Sequence, residues 1–339
     1  MNIYLLILSS SLIINYIKLK KNMNLKIIIT ILIFFVGLRE FGGIDYIAYK
    51  YFFLNPNSEF FEKGFYYYVL ILRFFNNNFK YFIFYTSFIG NFLLYKYLKN
   101  FKLSIIILII YFGRKFIWHN FILLRQNFSI LIFLMGIKYI YKRDIKKYLI
   151  TILLATLFHN SAIFLLPLYL VPNSNILNKK NIIKYFLIGI SCFIINQNLD
   201  KIINIILSFY KVSFLINFKY TYSKRINNLN YFVLIELLIF ILLFKFCKKE
   251  KFKQFNLYFN FQIINFSMMI FFNKLEIIRR MSEYFELPLS VLIAYSIYNF
   301  KSKNKMIIII FAYSTLRLIY LLNKFDNGDL LKGKWNIIF

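Results

Sequence analysis

Acidic residues are scarce in this chain: 13 Asp and Glu stand against 43 Lys and Arg in 339 residues. Charged residues of both signs make up only 17% of the sequence, whereas about 25% is usual in a soluble globular domain. Apolar side chains take their place and reach 60%, against roughly 45–50% in soluble domains. This composition excludes an ordinary soluble protein.

Cysteine is rarer still, and its two copies share no context. Cys192 and Cys247 fall in or beside different apolar segments, which excludes a disulfide framework and a zinc-binding pattern. The sequence also has no Walker A loop and no series of coupled carboxylates within its apolar segments. ATP-driven transport and proton pumping therefore lose support, and we expect neither a cofactor nor a metal ion.

The chain contains instead one apolar segment after another, each ~15–25 residues long, and a helix of that length crosses ~30 Å of hydrocarbon. Such segments must be helical, because lipid offers an open backbone no hydrogen-bond partners. We predict an all-α, polytopic integral membrane protein with about 11–12 transmembrane helices. The predicted helices cover residues 1–17, 25–38, 79–95, 103–113, 116–137, 148–171, 182–197, 202–218, 231–245, 255–272, 281–299 and 306–322.

Residues 62–76 form an apolar stretch that we do not place across the membrane. The apolar run from Phe65 to Leu72 is too short to span it, and the three tyrosines at 66–68 favour the interface. We therefore predict an amphipathic helix that lies in the outer membrane interface.

The N-terminal segment 1–17 is apolar but has neither a basic n-region nor a small-residue cleavage site. We expect it to be a retained first helix and not a removed signal peptide. No stretch of the sequence resembles a separate soluble domain. We predict a single transmembrane domain over residues 1–322, followed by a short tail at 323–339.

The net charge of +30 comes mostly from lysines that cluster between apolar segments. Such clusters mark cytoplasmic loops, and five of them fit one topology, in which both termini lie outside. The clusters surround Lys18, Lys96, Lys138, Lys245 and Lys301, and the other outer segments are 39–78, 172–181, 219–230 and 273–280. Because the charge follows the loops, we expect a lipid bilayer and no nucleic acid as its partner.

Polar residues gather where the chain leaves the second predicted helix. The group comprises Arg39, Glu40, Gly42, Gly43, Asp45, Tyr46 and Tyr49, and it continues to Glu59, Glu62 and Gly64. Such a segment either binds a ligand or is a solvated loop with interfacial salt bridges.

A pair of polar residues, Arg125 and Gln126, interrupts the predicted helix 116–137. An arginine near the middle of a membrane costs roughly 2.5–3.5 kcal/mol on insertion scales. Either a structural partner such as Glu236 or an anionic ligand must offset that cost.

A second interruption, His159-Asn160-Ser161, falls in the predicted helix 148–171. It is either part of a functional site or a set of hydrogen-bonding residues between helices. A third polar group, Arg279-Arg280 with Tyr284, lies where an outer loop enters the predicted helix 281–299. Paired arginines at a helix N-terminus suit a phosphate; the alternative is a lipid-headgroup anchor.

The order of these groups resembles the EpsG family of Wzy-type bacterial polysaccharide polymerases. The resemblance covers about residues 1–322 and rests on Arg39, Gly43, Asp45, Tyr46 and Tyr49, on Glu62-x-Gly64, on Arg125-Gln126, on His159-x-Ser161, and on Arg280 with Tyr284, Phe285 and Pro288. Ile44 departs from the pattern, in which a hydroxyl-bearing residue is expected, so we expect no catalytic role at that position.

The resemblance implies a multi-pass enzyme of the bacterial cytoplasmic membrane. It would join oligosaccharide repeat units carried on undecaprenyl pyrophosphate into exopolysaccharide, capsule or O-antigen at the outer face. The implied partners are the lipid-linked oligosaccharide, the lipid bilayer, a chain-length regulator and other polysaccharide-assembly proteins. In such a reaction an acceptor hydroxyl attacks the anomeric carbon of the donor, and the lipid pyrophosphate leaves.

The candidate site residues follow from these groups. We expect Asp45, Glu62 and His159 to be catalytic, because a carboxylate or an imidazole can take the hydroxyl proton. We expect Arg125 and the arginine pair to hold the pyrophosphate from two sides. The full set of expected substrate-binding residues is Arg39, Tyr46, Tyr49, Arg125, Gln126, Ser161, Arg279, Arg280 and Tyr284.

Two other functions remain alternatives: a surface-glycan ligase or acyltransferase, and a flippase for lipid-linked oligosaccharide. A flippase should have basic groups at all depths and pseudo-symmetric halves, and the sequence shows neither clearly. Gene deletion separates the two classes. Loss of a polymerase leaves single repeat units on the cell, whereas loss of a flippase leaves none outside.

The topology is testable with single cysteines in a variant that lacks Cys192 and Cys247. We predict that an impermeant thiol reagent labels Asn57→Cys in intact cells, because segment 39–78 lies outside. It should label Gln254→Cys only after the membrane is opened, because the lysine cluster beside it is cytoplasmic. Labelling of Gln254→Cys in intact cells, with none of Asn57→Cys, would reverse the topology.

Overall fold

The computed structural model of the chain describes residues 2–17, 22–40, 42, 44–57, 59, 61–174, 253–271, 276–298 and 303–324. All regular elements in these ranges are helical, which confirms the all-α prediction. The predicted helices at 182–197, 202–218 and 231–245 lie outside the described residues, and so does Glu236. Among the described helices, we find none that combines the length and the apolar character needed to cross a bilayer.

The α-helices in chain order are α1 (Asn2–Tyr16), α2 (Met23–Gly37), α3 (Ile44–Leu54), α4 (Lys63–Phe75), α5 (Phe79–Leu98), α6 (Ser104–Tyr111), α7 (Leu124–Tyr141), α8 (Ile145–Thr156), α9 (Phe255–Phe271), α10 (Glu276–Ser282), α11 (Glu286–Tyr298) and α12 (Lys303–Lys324). Two π-helical segments, Phe112–Phe116 and Trp118–Ile122, follow α6. Two 3-10 helices, Asn160–Leu170 and Glu283–Phe285, follow α8 and α10.

Contacts divide the chain into two compact units, one of Met1–Tyr169 with Ile293–Phe339 and the other of Leu170–Leu292. The prediction of a single transmembrane domain over residues 1–322 stays a prediction, because compactness does not define how a chain lies in a bilayer. Six predicted segments are confirmed as helices: 1–17, 25–38, 62–76, 79–95, 255–272 and 306–322 correspond to α1, α2, α4, α5, α9 and α12.

Helix α3 lies in a stretch where the sequence predicted only an outer segment. Asp45 occupies its first turn, where a carboxylate suits the helix dipole. Its buried face carries Tyr49, Phe52 and Phe53, which recur at the three- and four-residue intervals of a helix. This periodicity is short and is flanked by polar residues, which is why it did not stand out as an element.

An aromatic cluster packs α3, α4 and α5 together at the start of α7. Phe53, Phe65 and Phe82 are almost fully buried in it, and the Phe52 ring meets the Phe61 ring edge-on at a centroid distance of 4.4 Å. Edge-to-face pairs of this kind add about 0.5–1.5 kcal/mol each to the burial of the rings. The cluster therefore fixes the segment that precedes α4, where the candidate site begins.

Helix α4 is amphipathic, as the sequence predicts for residues 62–76. Phe65, Val69 and Leu72 face the core at helical spacing. Tyr67 and Phe74 lie on the opposite, exposed side, and Phe74 is 87% exposed. The position of this helix in a membrane interface stays a prediction.

The predicted break between residues 113 and 116 is wrong. The chain stays helical from α6 through the two π-helical segments. It leaves the helical conformation at Leu123, whose ψ is 46°. The side chain of Arg114, in the first of these segments, is buried. Its Nη1 donates a hydrogen bond to the hydroxyl of Tyr313 at 2.6 Å. The break therefore falls directly before α7, next to Arg125.

The predicted helix 148–171 is also broken. Helix α8 ends at Thr156, and a 3-10 helix begins at Asn160. His159 therefore lies at a junction between two helices and not inside one.

In the second unit, two amide side chains of α9 bind backbone carbonyls. Asn260 donates to the oxygens of Pro172 and Ser174 at 2.8 and 2.7 Å, and Gln262 donates to that of Phe285 at 2.8 Å. These bonds tie α9 to the segment at 172–174 and to the 3-10 turn that contains Tyr284.

The predicted helix N-terminus at residue 281 is wrong. Arg279 and Arg280 lie in the last turn of α10, and the chain continues through the 3-10 turn into α11. Cations suit that end of a helix, because the dipole there is negative. The expectation that backbone N–H groups reinforce these two arginines at a helix start loses its basis.

Close packing of α12 against the π-helical segment gives a prediction about stability. A Cβ atom at Gly113 would lie 2.3 Å from the carbonyl oxygen of Ser314. Gly113→Ala must therefore displace backbone, and we expect it to lower the free energy of unfolding by about 1–3 kcal/mol. Thermal unfolding of the purified protein would measure this loss.

Gly90 is the matched control, because it lies within α5 and the nearest atom to its Cβ position, Asn127 Nδ2, is 3.9 Å away. We expect Gly90→Ala to be neutral or to stabilise by up to about 1 kcal/mol, since alanine favours the helix. Equal effects of the two substitutions would contradict the packing described here.

Candidate functional site

An ion pair joins two segments that are far apart in sequence. The Glu62 carboxylate and the Arg125 guanidinium meet at 2.5 Å. Glu62 directly precedes α4, and Arg125 lies in the first turn of α7. Their side chains are 9% and 22% exposed, so the pair is largely desolvated and each charge depends on the other.

The second oxygen of the same carboxylate reaches a third segment. Glu62 Oε1 accepts a hydrogen bond from the backbone N–H of Asn160 at 3.2 Å. Asn160 starts the 3-10 helix and stands between His159 and Ser161. One carboxylate therefore holds together the starts of α4, α7 and the 3-10 helix.

Gly64 brings α4 close enough for this arrangement. A Cβ atom there would lie 2.6 Å from both the Cβ atom and the carbonyl oxygen of Leu157. In its absence, the backbone N–H of Phe65 donates to that same oxygen at 3.2 Å. The E-x-G pattern thus combines a carboxylate with the close backbone approach that only glycine permits.

Arg125 has further neighbours besides Glu62. Its guanidinium lies 4.0 Å from the centre of the Phe61 ring, a cation–π distance. The Tyr49 side chain lies within electrostatic range of it. Burial raises the pKa of Tyr49 above its usual value, and the neighbouring Arg125 cation opposes that rise. The partner that offsets the charge of Arg125 is therefore Glu62.

Arg39 is buried more deeply than Arg125 and has fewer partners. It is 3% exposed, and its Nη1 donates to the carbonyl oxygen of Val36 at 2.7 Å. Its face lies 4.6 Å from the centre of the Phe121 ring. Its Nε and Nη2 atoms, although buried, have no hydrogen-bond partner among the described residues.

The surroundings of Arg39 disfavour its charge. Burial lowers the pKa of Arg39 to about 10, although the nearby Tyr46, Tyr4 and Tyr49 oppose the shift. No ion pair of the described residues involves it. Gly42 packs against it, since a Cβ atom there would lie 2.8 Å from Arg39 Nε.

His159 and Ser161 form a buried pair. The Nδ1 atom of His159 is 2.6 Å from Ser161 Oγ, and the backbone N–H of Ser161 donates to Nδ1 at 3.3 Å. Because Asn160 between them is bonded to Glu62, the H-x-S and E-x-G patterns meet at one place.

The other predicted site residues divide into two groups. In the first group, Asp45 lies in the first turn of α3 and Tyr46 packs edge-on against Phe79 at a centroid distance of 5.2 Å. Gln126, which follows Arg125 in the sequence, is buried.

The second group belongs to the other compact unit and comprises Arg279, Arg280 and Tyr284. Tyr284 is fully buried, and both arginines are exposed. The two-sided pyrophosphate clamp therefore stays a prediction.

Several residues at the site escaped sequence reasoning. The ring of Phe61 faces Arg125, the ring of Phe121 faces Arg39, and the carbonyl of Leu157 meets α4. The chain as a whole is 22% aromatic and rich in leucine. Nothing in the sequence marks these particular copies. Among the described residues, no group of three His, Cys, Asp or Glu side chains is placed to hold a metal ion.

In the described part of the chain, which is all-helical, the Glu62–Arg125 pair and the buried Arg39 both lie near helix ends. The chain belongs to the EpsG family, a family of Wzy-type polysaccharide polymerases: the model of that family matches residues 22–336, nearly the whole chain. This confirms the resemblance and indicates a polymerase-type role in exopolysaccharide biosynthesis. No curated protein and no solved structure matches the chain.

The ion pair predicts non-additive mutational effects. Removal of either partner strands the other charge, so we expect Glu62→Ala and Arg125→Ala each to lower the free energy of unfolding by about 3 kcal/mol. The double variant should lose much less than the sum of the two, because it strands no charge. Thermal or denaturant unfolding of the purified variants would measure these losses.

Lys147 is the control, because it forms an exposed ion pair with Asp144 at 2.9 Å. We expect Lys147→Ala to change stability by no more than about 0.5 kcal/mol. Fully additive losses at Glu62 and Arg125 would show that the ion pair does not stabilise the contact between the starts of α4 and α7.

Proposed function

We propose that this protein joins oligosaccharide repeat units carried on undecaprenyl pyrophosphate at the outer face of the bacterial cytoplasmic membrane. Membership of the EpsG family supports the reaction class. The observation that carries the proposal is the buried guanidinium of Arg39, whose Nε and Nη2 have no hydrogen-bond partner among the described residues and which lies within electrostatic range of Tyr49.

The character of the exposed surface supports a bilayer as the surroundings. Helix α8 turns Leu149, Ile150, Leu153 and Leu154 outward, while Tyr148 is buried. A continuous apolar face of this kind is rare on soluble monomers and marks a protein or membrane contact. The sequence adds five lysine clusters that fit cytoplasmic loops.

Arg39 is the group best suited to the anionic part of the donor. A buried cation without a carboxylate partner is unfavourable, and an anion that accepts from Nε and Nη2 would offset that cost. Phosphate fits such a fork of donors, because guanidinium offers it two parallel hydrogen bonds. A pyrophosphate is therefore a better match than an uncharged sugar.

Tyr49 extends this subsite toward Arg125. It lies within electrostatic range of both Arg125 and Arg39. The buried Nε of Arg125 has no hydrogen-bond partner among the described residues, although Glu62 balances the charge of the side chain. We assign direct binding of the pyrophosphate to Arg39. We assign to Arg125, which Glu62 holds in place, the opposite side of the same subsite.

The proposed reaction needs a proton acceptor and a stabilised leaving group. As the acceptor oxygen bonds to the anomeric carbon, the bond from that carbon to the pyrophosphate oxygen breaks, and the leaving group takes the electron pair. Negative charge grows on the pyrophosphate, and a prearranged cation such as Arg39 lowers the barrier for that step. The hydroxyl proton passes to a base.

Asp45 is the better candidate for the base. Glu62 already accepts bonds from Arg125 and Asn160 with its two oxygens, which commits it to positioning. Asp45 is half-buried in the first turn of α3, one turn before Tyr49. We propose that it takes the proton of the acceptor hydroxyl.

Substitution of Arg39 tests the proposal. Arg39→Lys keeps the charge but loses the paired donors, so we expect the glycan ladder to shrink toward single repeat units at normal membrane abundance. Electrophoresis of surface glycans from a deletion strain that carries each variant would measure ladder length, and quantitative blotting would measure abundance.

Arg73 serves as the matched control, because it lies in the same outer segment and donates to the Asn77 side chain at an exposed site. We expect Arg73→Lys to make polymer of normal length. If Arg39→Lys also polymerises normally, Arg39 does not bind the pyrophosphate. If deletion of the gene abolishes single repeat units as well, the protein is not a polymerase.

A further inference from the structure

The start of α7 has no side-chain cap. Leu123 occupies its N-cap position with φ −90° and ψ 46°, and a leucine side chain has no polar atom to accept from the first N–H groups. Capping contacts help to fix the angle at which a chain enters a helix. Arg125 is the second residue of α7, so its position depends on whatever else holds this helix start.

Two buried asparagines bridge the break at Leu123. The Nδ2 atom of Asn127, in α7, donates to Oδ1 of Asn120, in the second π-helical segment, at 3.2 Å. The Nδ2 atom of Asn120 donates in turn to the carbonyl oxygen of Phe116 at 2.9 Å. Both asparagines are only 5% exposed, so bulk water hardly competes for these bonds. Together they connect α7 to the backbone that precedes the break.

The Asn127 amide is oriented for this bridge at the expense of its own oxygen. The Oδ1 atom of Asn127 is buried and has no hydrogen-bond partner among the described residues. A buried acceptor without a partner is unfavourable, and a leucine of similar volume would avoid that cost. The reverse orientation would set the Oδ1 atoms of Asn127 and Asn120 against each other. Core packing alone therefore does not account for an asparagine here, whereas the bond across the break does.

The bridge lies between the two guanidinium groups of the candidate site. Phe121, whose ring centre is 4.6 Å from the Arg39 guanidinium, directly follows Asn120. Arg125 precedes Asn127 by two residues. One guanidinium thus packs on the segment before the break, and the other belongs to the helix after it. The geometry of the break therefore sets the distance between the two cations.

We infer that Asn120 and Asn127 are positioning residues, which fix the spacing of Arg39 and Arg125 by holding the break in one geometry. This rests on the proposed function, in which both guanidinium groups face one pyrophosphate. The asparagines act through the arginines and not on the substrate itself. A misplacement of about 1 Å can cost about 10²-fold in rate, so a loosened break should impair polymerisation without unfolding the protein.

The geometry of the break can be measured without substrate. Lys102, just before α6, and Lys138, near the end of α7, are exposed and lie on the two sides of the break. Spin labels on cysteines at these positions, in a variant that lacks Cys192 and Cys247, report the distance between the two helical arms. We expect one narrow distance distribution in this background and a shifted or clearly broader one when Asn127→Leu is added. An unchanged distribution would overturn the inference.

Asn91→Leu is the matched control. Asn91 is fully buried, and its Oδ1 atom also has no partner among the described residues. Its Nδ2 atom donates to the carbonyl oxygen and the Oγ atom of Ser87, in the same helix, at 2.9 and 3.3 Å. The substitution removes the same kind of amide away from the break, so we expect an unchanged distance distribution. Equal broadening with Asn91→Leu and Asn127→Leu would contradict a specific role of the bridge.

Polymer length tests the role in the reaction. We expect Asn127→Leu to lower polymer formation by about tenfold or more at normal membrane abundance. Asn120→Leu removes the bridge from its other end and should have the same effect, which also provides the test if Asn127→Leu does not accumulate. The double variant should be no worse than the more impaired single variant, because both remove one contact. Normal polymer from the abundant single variants, or additive losses in the double variant, would overturn the inference.

The two measurements separate this inference from the proposed function. If the wild-type chain makes no polymer when returned to a deletion strain, the proposed function fails, and the distance measurement still decides whether the asparagine bridge fixes the break. A broadened distribution together with normal polymer would refute the positioning role.

Discussion

The Glu62 carboxylate is the contact on which the rest of the first unit's site depends. It binds Arg125 with one oxygen and the N–H of Asn160 with the other, so three helix starts share a single anion. Negative charge suits a helix start, because the dipole there is positive. In a chain with 13 acidic residues against 43 basic ones, one carboxylate here serves two partners, and no carboxylate of the described residues pairs with the buried Arg39 cation.

The Glu62 contact is needed because the helical chain is broken in two places, at Leu123 and between Thr156 and Asn160. Helical backbone satisfies its own hydrogen bonds, whereas a break frees N–H and carbonyl groups that need partners. The freed N–H of Asn160 finds Glu62, and the freed carbonyl of Leu157 finds the N–H of Phe65. Breaks beside charged residues are therefore places where a helical protein can build a polar site.

Much of the fold could be predicted, because the apolar segments that form α1, α2 and α5 have helical length and polar ends. Other features could not. The break at Leu123 depends on π-helical turns that no residue type announces, and α3 is masked by its polar flanks. The sequence marked Arg125 as costly and Glu62 as part of a motif. Their pairing was not predictable, since 63 positions separate them and nothing in the sequence between them selects one carboxylate over another such as Glu236.

The packing at Gly64 explains the spacing of the E-x-G pattern. The two positions require opposite kinds of residue. Position 62 needs a long side chain that reaches two partners, and position 64 needs no side chain, because the Leu157 carbonyl occupies that space. Lys63 between them is exposed and faces neither requirement. The motif therefore works as a molecular ruler. It sets the distance between a charge and a bare stretch of backbone, and neither requirement constrains the side chain of the exposed middle residue.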